Sequence, residues 1–258
     1  MSFVKRQLLA LRCALQFLTT LPVGRGVVPT AELQGLSLLW YPAVGLLLGA
    51  LLCLVSWLLS LPALLLAAVV LTVWVLLTGA LHLDGLADCA DAWMAGHGDE
   101  TRTFSVLKDP ACGVMAVVSI VLVLVLKLTS LTVILTSNNV DWLIMVPVLG
   151  RLSIFSLFLT QAYVREGGIA AVMVAQFPQT PARVVIIGVL IILFVLLPLE
   201  VFLLTTLAVA AVCWWVARSA RKRLGGFTGD VAGAQIELVE VVTLLIMALL
   251  LGRADAVG

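Results

Sequence analysis

The chain has 258 residues, of which 63% are hydrophobic and only 11% charged, and its formal net charge is +1. Soluble domains average about 45–50% apolar and about 25% charged residues, so a water-soluble globule of this length could not hide so much apolar surface. A charge so close to zero, with no long basic run, also gives no footing for nucleic acid.

Taken in chain order, the first segment is Met1–Val23. It opens with Lys5 and Arg6, but Arg12 and Gln16 interrupt its apolar part, which argues against a cleaved signal peptide. It reads either as an amphipathic helix on the membrane surface or as a partly inserted first helix. Seven long apolar runs follow: Leu36–Leu59, Ala63–Leu83, Val114–Thr136, Trp142–Thr160, Val184–Pro198, Phe202–Ala217 and Leu238–Leu251. A crossing helix needs about 20 apolar residues. Because the last runs are shorter, seven spans are expected and six to eight fit. The fold class is therefore all-α, a polytopic integral membrane bundle, with residues 1–258 as a single transmembrane catalytic domain. Five cysteines, at 13, 53, 89, 112 and 213, show no CxxC and no paired spacing, which speaks against a disulfide framework and against zinc.

With the N-terminus in the cytosol, Lys5, Arg6, Arg12, Arg25, Arg102, Lys108, Arg165, Arg183, Arg218, Arg221, Lys222 and Arg223 all lie inside. Arg253 alone lies outside, while Lys127 and Arg151 fall within spans. The positive-inside rule selects this orientation. It places the three sizeable polar segments, near 84–112, 161–183 and 218–236, on the cytosolic face. Polar loops gathered on one face suit an enzyme at that surface, since a transporter needs polar groups reachable from both sides.

The first polar segment begins GALHLDGLADCADAW, residues 79–93. Asp84, Asp88 and Asp91 stand at i, i+4 and i+7, within about 60° of one another around a helix. Three stacked like charges destabilise a helix unless a cation sits among them, and Asp84 directly follows an apolar span, where an unpaired carboxylate is costly. A divalent cation resolves both problems, and hard oxygen ligands without a cysteine–histidine pair suit Mg²⁺ or Mn²⁺. Mg²⁺ usually binds through one or two carboxylates plus substrate phosphates, so a phosphorylated ligand is implied. Gly85 lets a ligand approach the backbone. His82 reads as a hydrogen-bonded interfacial residue and Trp93 as an interface anchor. Farther on, Asp109 adds a fourth carboxylate beside Lys108, just before the next span. The stretch GGFTGDVAGA, residues 225–234, offers Thr228 and Gly229 as a phosphate cradle ahead of a helix, with Asp230 as ligand or base. Arg218, Arg221, Lys222 and Arg223 are ordinary positive-inside anchors, and Glu237 and Glu240, three apart, share one helix face.

HLDGLADCADAW, LKDPACG and GGFTGDVAGAQIELVE together resemble the cobalamin synthase family, the adenosylcobinamide-GDP ribazoletransferases. FLTTLPV near residue 17, YPAVGLLLG near 41, Lys127, Arg151 and AYVREGGIA near 162 extend the resemblance over nearly the whole chain. It implies an inner-membrane enzyme that uses Mg²⁺ and joins adenosylcobinamide-GDP to α-ribazole or its 5′-phosphate, releasing GMP. On this reading Asp84, Asp88, Asp91 and Asp109 hold the metal, and either Asp91 or Asp230 takes the proton of the attacking hydroxyl. Lys108, Arg151 and Arg165 contact phosphate, Lys108 within the catalytic set. Arg102, Gly85, Thr228 and Gly229 complete the substrate contacts. Lys127 lies roughly 20 Å along its helix from Gly113 and is either part of the site or a buried structural cation. Expected partners are the bilayer, other late cobalamin-assembly enzymes and a second copy of the chain. The sequence departs from the family pattern at Asp109-Pro110-Ala111, where aspartate-serine-arginine is usual, at Val114-Met115-Ala116 and at Thr20.

Two rivals differ in testable ways. A CDP-alcohol phosphotransferase shares a DGxxA element, but Ala87 is followed here by Asp88 and the rest of that signature is absent. A transporter would use Lys127 and Arg151 as pathway charges.

Overall fold

In the computed structural model, residues 2–23, 29–137, 139–165, 167 and 169–257 are described. Among them the regular structure is helical, apart from one isolated bridge between Tyr163 and Phe227. In chain order the helices are α1 (Phe3–Leu18), α2 (Ala31–Ser37), α3 (Tyr41–Leu58), α4 (Ala63–Thr78), α5 (Leu81–Gly96), α6 (Glu100–Val106) and α7 (Val114–Thr136). There follow α8 (Met145–Ser153), α9 (Phe155–Thr160), α10 (Ile169–Ala175), α11 (Gln179–Leu196), α12 (Leu199–Leu224) and α13 (Gly229–Val257).

Six described helical stretches are long and apolar enough to cross a membrane, seven when the bent pair α4–α5 counts as one. This matches the seven runs read from the sequence. Two stretches are composite, since α2 runs through a short 3-10 turn into α3, and another such turn leads into α8 and α9. Pro42 sits in the first turn of α3, where its missing N–H has no helical partner to lose. Large apolar side chains on α7, α11 and α12 point outward, among them Val121, Leu122, Ile187, Ile191, Leu203 and Leu207. In water such a surface would be untenable; against lipid tails it is the expected one.

α1 is amphipathic. Ala10, Cys13, Ala14 and Leu18 are buried at helical spacing, while Phe3, Val4 and Leu8 are exposed. Arg6 pairs with Glu32 of α2, so the N-terminal helix is tied to the foot of the first crossing.

The chain turns 87° between α4 and α5. Gly79, with φ of 60°, takes the left-handed conformation that ends α4, and Ala80 follows at φ 57°. A glycine tolerates this without a Cβ clash. The bend ends the membrane-crossing arm at α4, so the aspartate-bearing α5 departs from the span axis instead of continuing along it.

α13 is the central post, packed against α5, α7, α8 and α12. Its buried face carries Glu237 and Glu240, and α7 and α8 bring one cation each to meet them. Lys127 Nζ lies 2.7 Å from Glu237 and 2.5 Å from Glu240, and 4.6 Å from the centre of the Trp74 ring. Arg151 is fully buried and pairs with Glu240, while its second terminal nitrogen is 3.5 Å from His82 Nδ1. Two buried cations and two buried carboxylates neutralise one another, as charges taken out of water must. This corrects one expectation: Arg151 is no phosphate contact but an internal ion-pair partner, because its helix is buried on every side. Lys127 likewise becomes structural. The pairing also removes the ground for a transport pathway through these two charges.

Candidate active site

The site forms where α5 meets the start of α13. A Cβ placed on Gly85 would come within 2.7 Å of the Asp230 carbonyl oxygen, so the glycine admits the α13 backbone, and it also lines a cavity beside Asp84. That close approach puts Asp230 beside the α5 carboxylates. Asp84 is exposed and Asp88 half-buried. The charges of Asp84 and Asp230 both bear on Asp88.

Arg165 supplies the local positive charge, its Nη1 donating to Asp230 Oδ2 at 3.0 Å. A backbone bridge places it. Phe227 N–H donates to the Ala162 carbonyl at 2.8 Å, and Val164 N–H donates to the Phe227 carbonyl at 3.0 Å. The 161–165 segment is thereby pinned to the lead-in of α13. Thr228, fully buried, donates to Asp230 Oδ2 at 3.3 Å and caps α13 by accepting from Val231 N–H at 3.4 Å. Its hydroxyl is thus engaged as a cap, while Gly229 has open space before it. On the far side of α5, Trp93 Nε1 donates to Ser219 at 2.8 Å, and Arg223 stacks on the Trp93 ring and donates to its carbonyl at 3.0 Å. Trp93 therefore anchors α5 to α12. The three polar segments singled out in the sequence meet at one end of the bundle.

Other expected site residues fall elsewhere. Asp91 Oδ2 accepts from Gly113 N–H at 2.6 Å and its Oδ1 from Ala116 N–H at 2.9 Å, so both oxygens cap α7. Asp109 is exposed and accepts from Ala111 N–H at 3.0 Å, two residues on. Arg102 is exposed within α6, and no described contact brings its side chain to the aspartates. Lys108 lines a groove of about 640 Å³ together with Glu100, Phe104 and Arg165. Arg25, and Glu166 and Gly168 of the AYVREGGIA stretch, lie outside the described residues.

Among the described residues no group of three or more His, Cys, Asp or Glu side chains is placed to hold a metal ion. The grouping the fold offers is Asp84, Asp88 and Asp230. These hard oxygen donors suit Mg²⁺, which completes its shell with water and substrate phosphate instead of protein ligands alone.

Sequence reading missed the second feature of this site. A cavity of about 220 Å³ runs inward from Asp84, Gly229 and Asp230, between walls that include Phe17, Tyr41, Phe158 and Met173, with His82 beside them. Its lining comes from helices far apart in the chain, and no spacing along the sequence signals that convergence.

The fold and site define a class: a polytopic membrane protein with a neutralised ionic core and an acidic, cation-flanked pocket at one end of its bundle. A family model described as cobalamin-5-phosphate synthase matches residues 10–248. The chain belongs to that family. A relative from Stutzerimonas stutzeri (strain A1501), named adenosylcobinamide-GDP ribazoletransferase, is 48% identical over 248 residues, covering 95% of this chain and 100% of the relative. Proteins of the same name from Pseudomonas entomophila (strain L48) and Pseudomonas syringae pv. syringae (strain B728a) are 47% and 46% identical. Each covers 92% of this chain, and the matches span 97% and 98% of those relatives. No solved structure matches.

Proposed function

We propose that this chain joins adenosylcobinamide-GDP to the ribose 3′-hydroxyl of α-ribazole or α-ribazole 5′-phosphate, releasing GMP, at the cytosolic face of the bacterial inner membrane and with Mg²⁺. The observation that carries the reading is the meeting of Asp84, Asp88, Asp230 and Arg165 at one end of the bundle, between the inner cavity and the Lys108 groove. The family and the relatives' names supply the substrates, and the concentration of positive residues on one side of the spans supplies the orientation.

In the reaction the hydroxyl oxygen bonds to the phosphorus that carries the cobinamide. The P–O bond to the nucleotide phosphate breaks, GMP departs, and the hydroxyl proton passes to a carboxylate. Asp230 is favoured for that proton over Asp91, whose two oxygens are occupied by α7 amides. Arg165 and Lys108 grip phosphate, Arg165 being able to use two parallel hydrogen bonds. Mg²⁺ bound by Asp84 and Asp88 would neutralise diphosphate charge, the chief requirement of phosphoryl transfer. The bend at Gly79 and the close contact at Gly85 hold these groups before the substrate arrives.

The test is GMP formation by the purified protein in lipid nanodiscs. Release requires both substrates and Mg²⁺, and Asp88→Asn lowers kcat by at least about 100-fold with the fold intact. GMP release by Asp88→Asn at the wild-type rate, or in excess chelator, refutes the site.

A further inference from the structure

We propose that α9 and α12, where they end at the acidic end of the bundle, bind the phosphate headgroup of an anionic glycerophospholipid. Arg218, Arg221 and Lys222 surround the phosphate, and an acyl chain lies along the apolar stripe of α12. The site is separate from the pocket of the proposed reaction and does not depend on it.

An open groove of about 540 Å³ lies between the two helix ends, lined by Thr160 and Gln161 on one side and by Trp214, Arg218, Arg221 and Lys222 on the other. No acidic residue lines it, and it shares no lining residue with the inner cavity or the Lys108 groove. Arg221 Nε donates to Gln161 Oε1 at 3.0 Å, and one of its terminal nitrogens donates to the Thr160 carbonyl at 3.3 Å. Those bonds fix the guanidinium at the rim and tie α12 to the end of α9. Arg218 stacks over Trp214, 5.9 Å from the centre of the ring.

The charge in this groove is unbalanced. Arg218, Arg221 and Lys222 stand at i, i+3 and i+4, the spacing at which like charges on a helix repel. Among the described residues none of the three pairs with a carboxylate. The helix dipole favours Arg221 and Lys222 in the last turn of α12, but Arg218 precedes that turn. A bound anion relieves the repulsion among all three, and phosphate is the usual partner of such guanidinium and ammonium groups.

The rest of α12 argues that a lipid carries the anion. Arg218 lies roughly 28 Å along the helix from Leu199, close to the ~30 Å thickness of a hydrocarbon core, so the cations stand at its edge. Leu207 and Trp214 are exposed, and with Arg218 and Arg221 they fall within about 60° of one another around the helix. Apolar, aromatic and cationic side chains thus follow in order on one stripe, as chain, interface and headgroup follow in a phospholipid. A free phosphate ion would use the cations alone and gain nothing from the stripe. Basic pockets between spans at a membrane surface are the usual seats of anionic headgroups. A zwitterionic headgroup carries its own ammonium and meets the three cations with no net charge.

The experiment is native mass spectrometry of the full chain in detergent micelles doped with equal amounts of phosphatidylglycerol and phosphatidylcholine of matched chains. The wild type should retain phosphatidylglycerol with at least about tenfold preference. Arg218→Gln with Lys222→Gln should lose that preference. Lys5→Gln with Arg183→Gln, which removes the same charge from exposed positions elsewhere, should keep it within about twofold. Inorganic phosphate in excess should fail to displace the lipid. Equal retention of the two lipids by the wild type, or retention of neither, overturns the site. So does an equal loss in the control pair, which would reduce the effect to overall charge, or displacement by phosphate, which would make the groove a free-anion site. Should the groove variant fail to fold, Ala217→Glu, which sets a carboxylate among the cations, should abolish the preference instead, and survival of the preference there refutes the assignment.

Discussion

Five aspartates that look alike in the sequence do different work. Asp91 is a helix cap, Asp109 closes a local turn, Asp84 and Asp230 line one cavity, and Asp88 feels the charge of both. The difference is measurable. Asp91→Ala should cost about 1 kcal/mol of stability, the usual value of a lost cap, and leave the Mg²⁺ dependence of activity unmoved. Asp88→Asn should abolish that dependence without lowering the thermal midpoint in chelator. A shift of the Mg²⁺ midpoint in Asp91→Ala would return that residue to the metal set. In the ionic core, Glu240→Gln leaves Arg151 without its carboxylate and Lys127 with Glu237 alone, and should cost roughly 3–5 kcal/mol. Lys127→Met combined with Glu237→Gln should cost less than the sum of the two single changes, since the two side chains pair with each other. Additive losses in thermal unfolding would show that the pair is not coupled.

At the scale of the helix, placement depends on backbones that come unusually close. α5 carries the acids, but only its contact with α13 brings Asp230 to them, and Gly85 is the point of contact. Gly85→Val should therefore drive the two helices apart, costing about 1–3 kcal/mol in stability and most of the activity. Retention of wild-type turnover in that variant would mean that Asp230 acts independently of α5. The α4–α5 bend has the same importance. A straight continuation would carry Asp84, Asp88 and Asp91 along the span axis, and the 87° turn at Gly79-Ala80 leads them away from it. The stacked aspartates at i, i+4 and i+7 were legible as a signal, because helical periodicity is local. Which of them would be consumed as a cap was not, because the amides of Gly113 and Ala116 arrive from another helix.

For the whole molecule, orientation in the membrane is the open consequence. Cys112 is exposed beside the acidic end of the bundle, whereas Cys13, Cys53 and Cys89 are buried and Cys213 is half-covered. A membrane-impermeant maleimide should label Cys112 in inverted vesicles and spare it in right-side-out ones. The reverse pattern would place the site outside the cell and end the proposed reaction, since the pocket would face the wrong compartment.

The residues by themselves determined that the chain is a helical membrane bundle with six or seven long apolar stretches, because hydropathy acts along the chain and needs no knowledge of neighbours. They also singled out Asp84, Asp88, Asp230 and Arg165. Tertiary structure alone decided that Arg151 and Lys127 are buried counter-ions to Glu240 and Glu237, that Asp91 serves α7, and that Tyr41, His82 and Met173 enclose one cavity. Those outcomes depend on which groups meet after packing, and in an interior without water a charge or a hydrogen-bond donor takes its role from the partner it finds there.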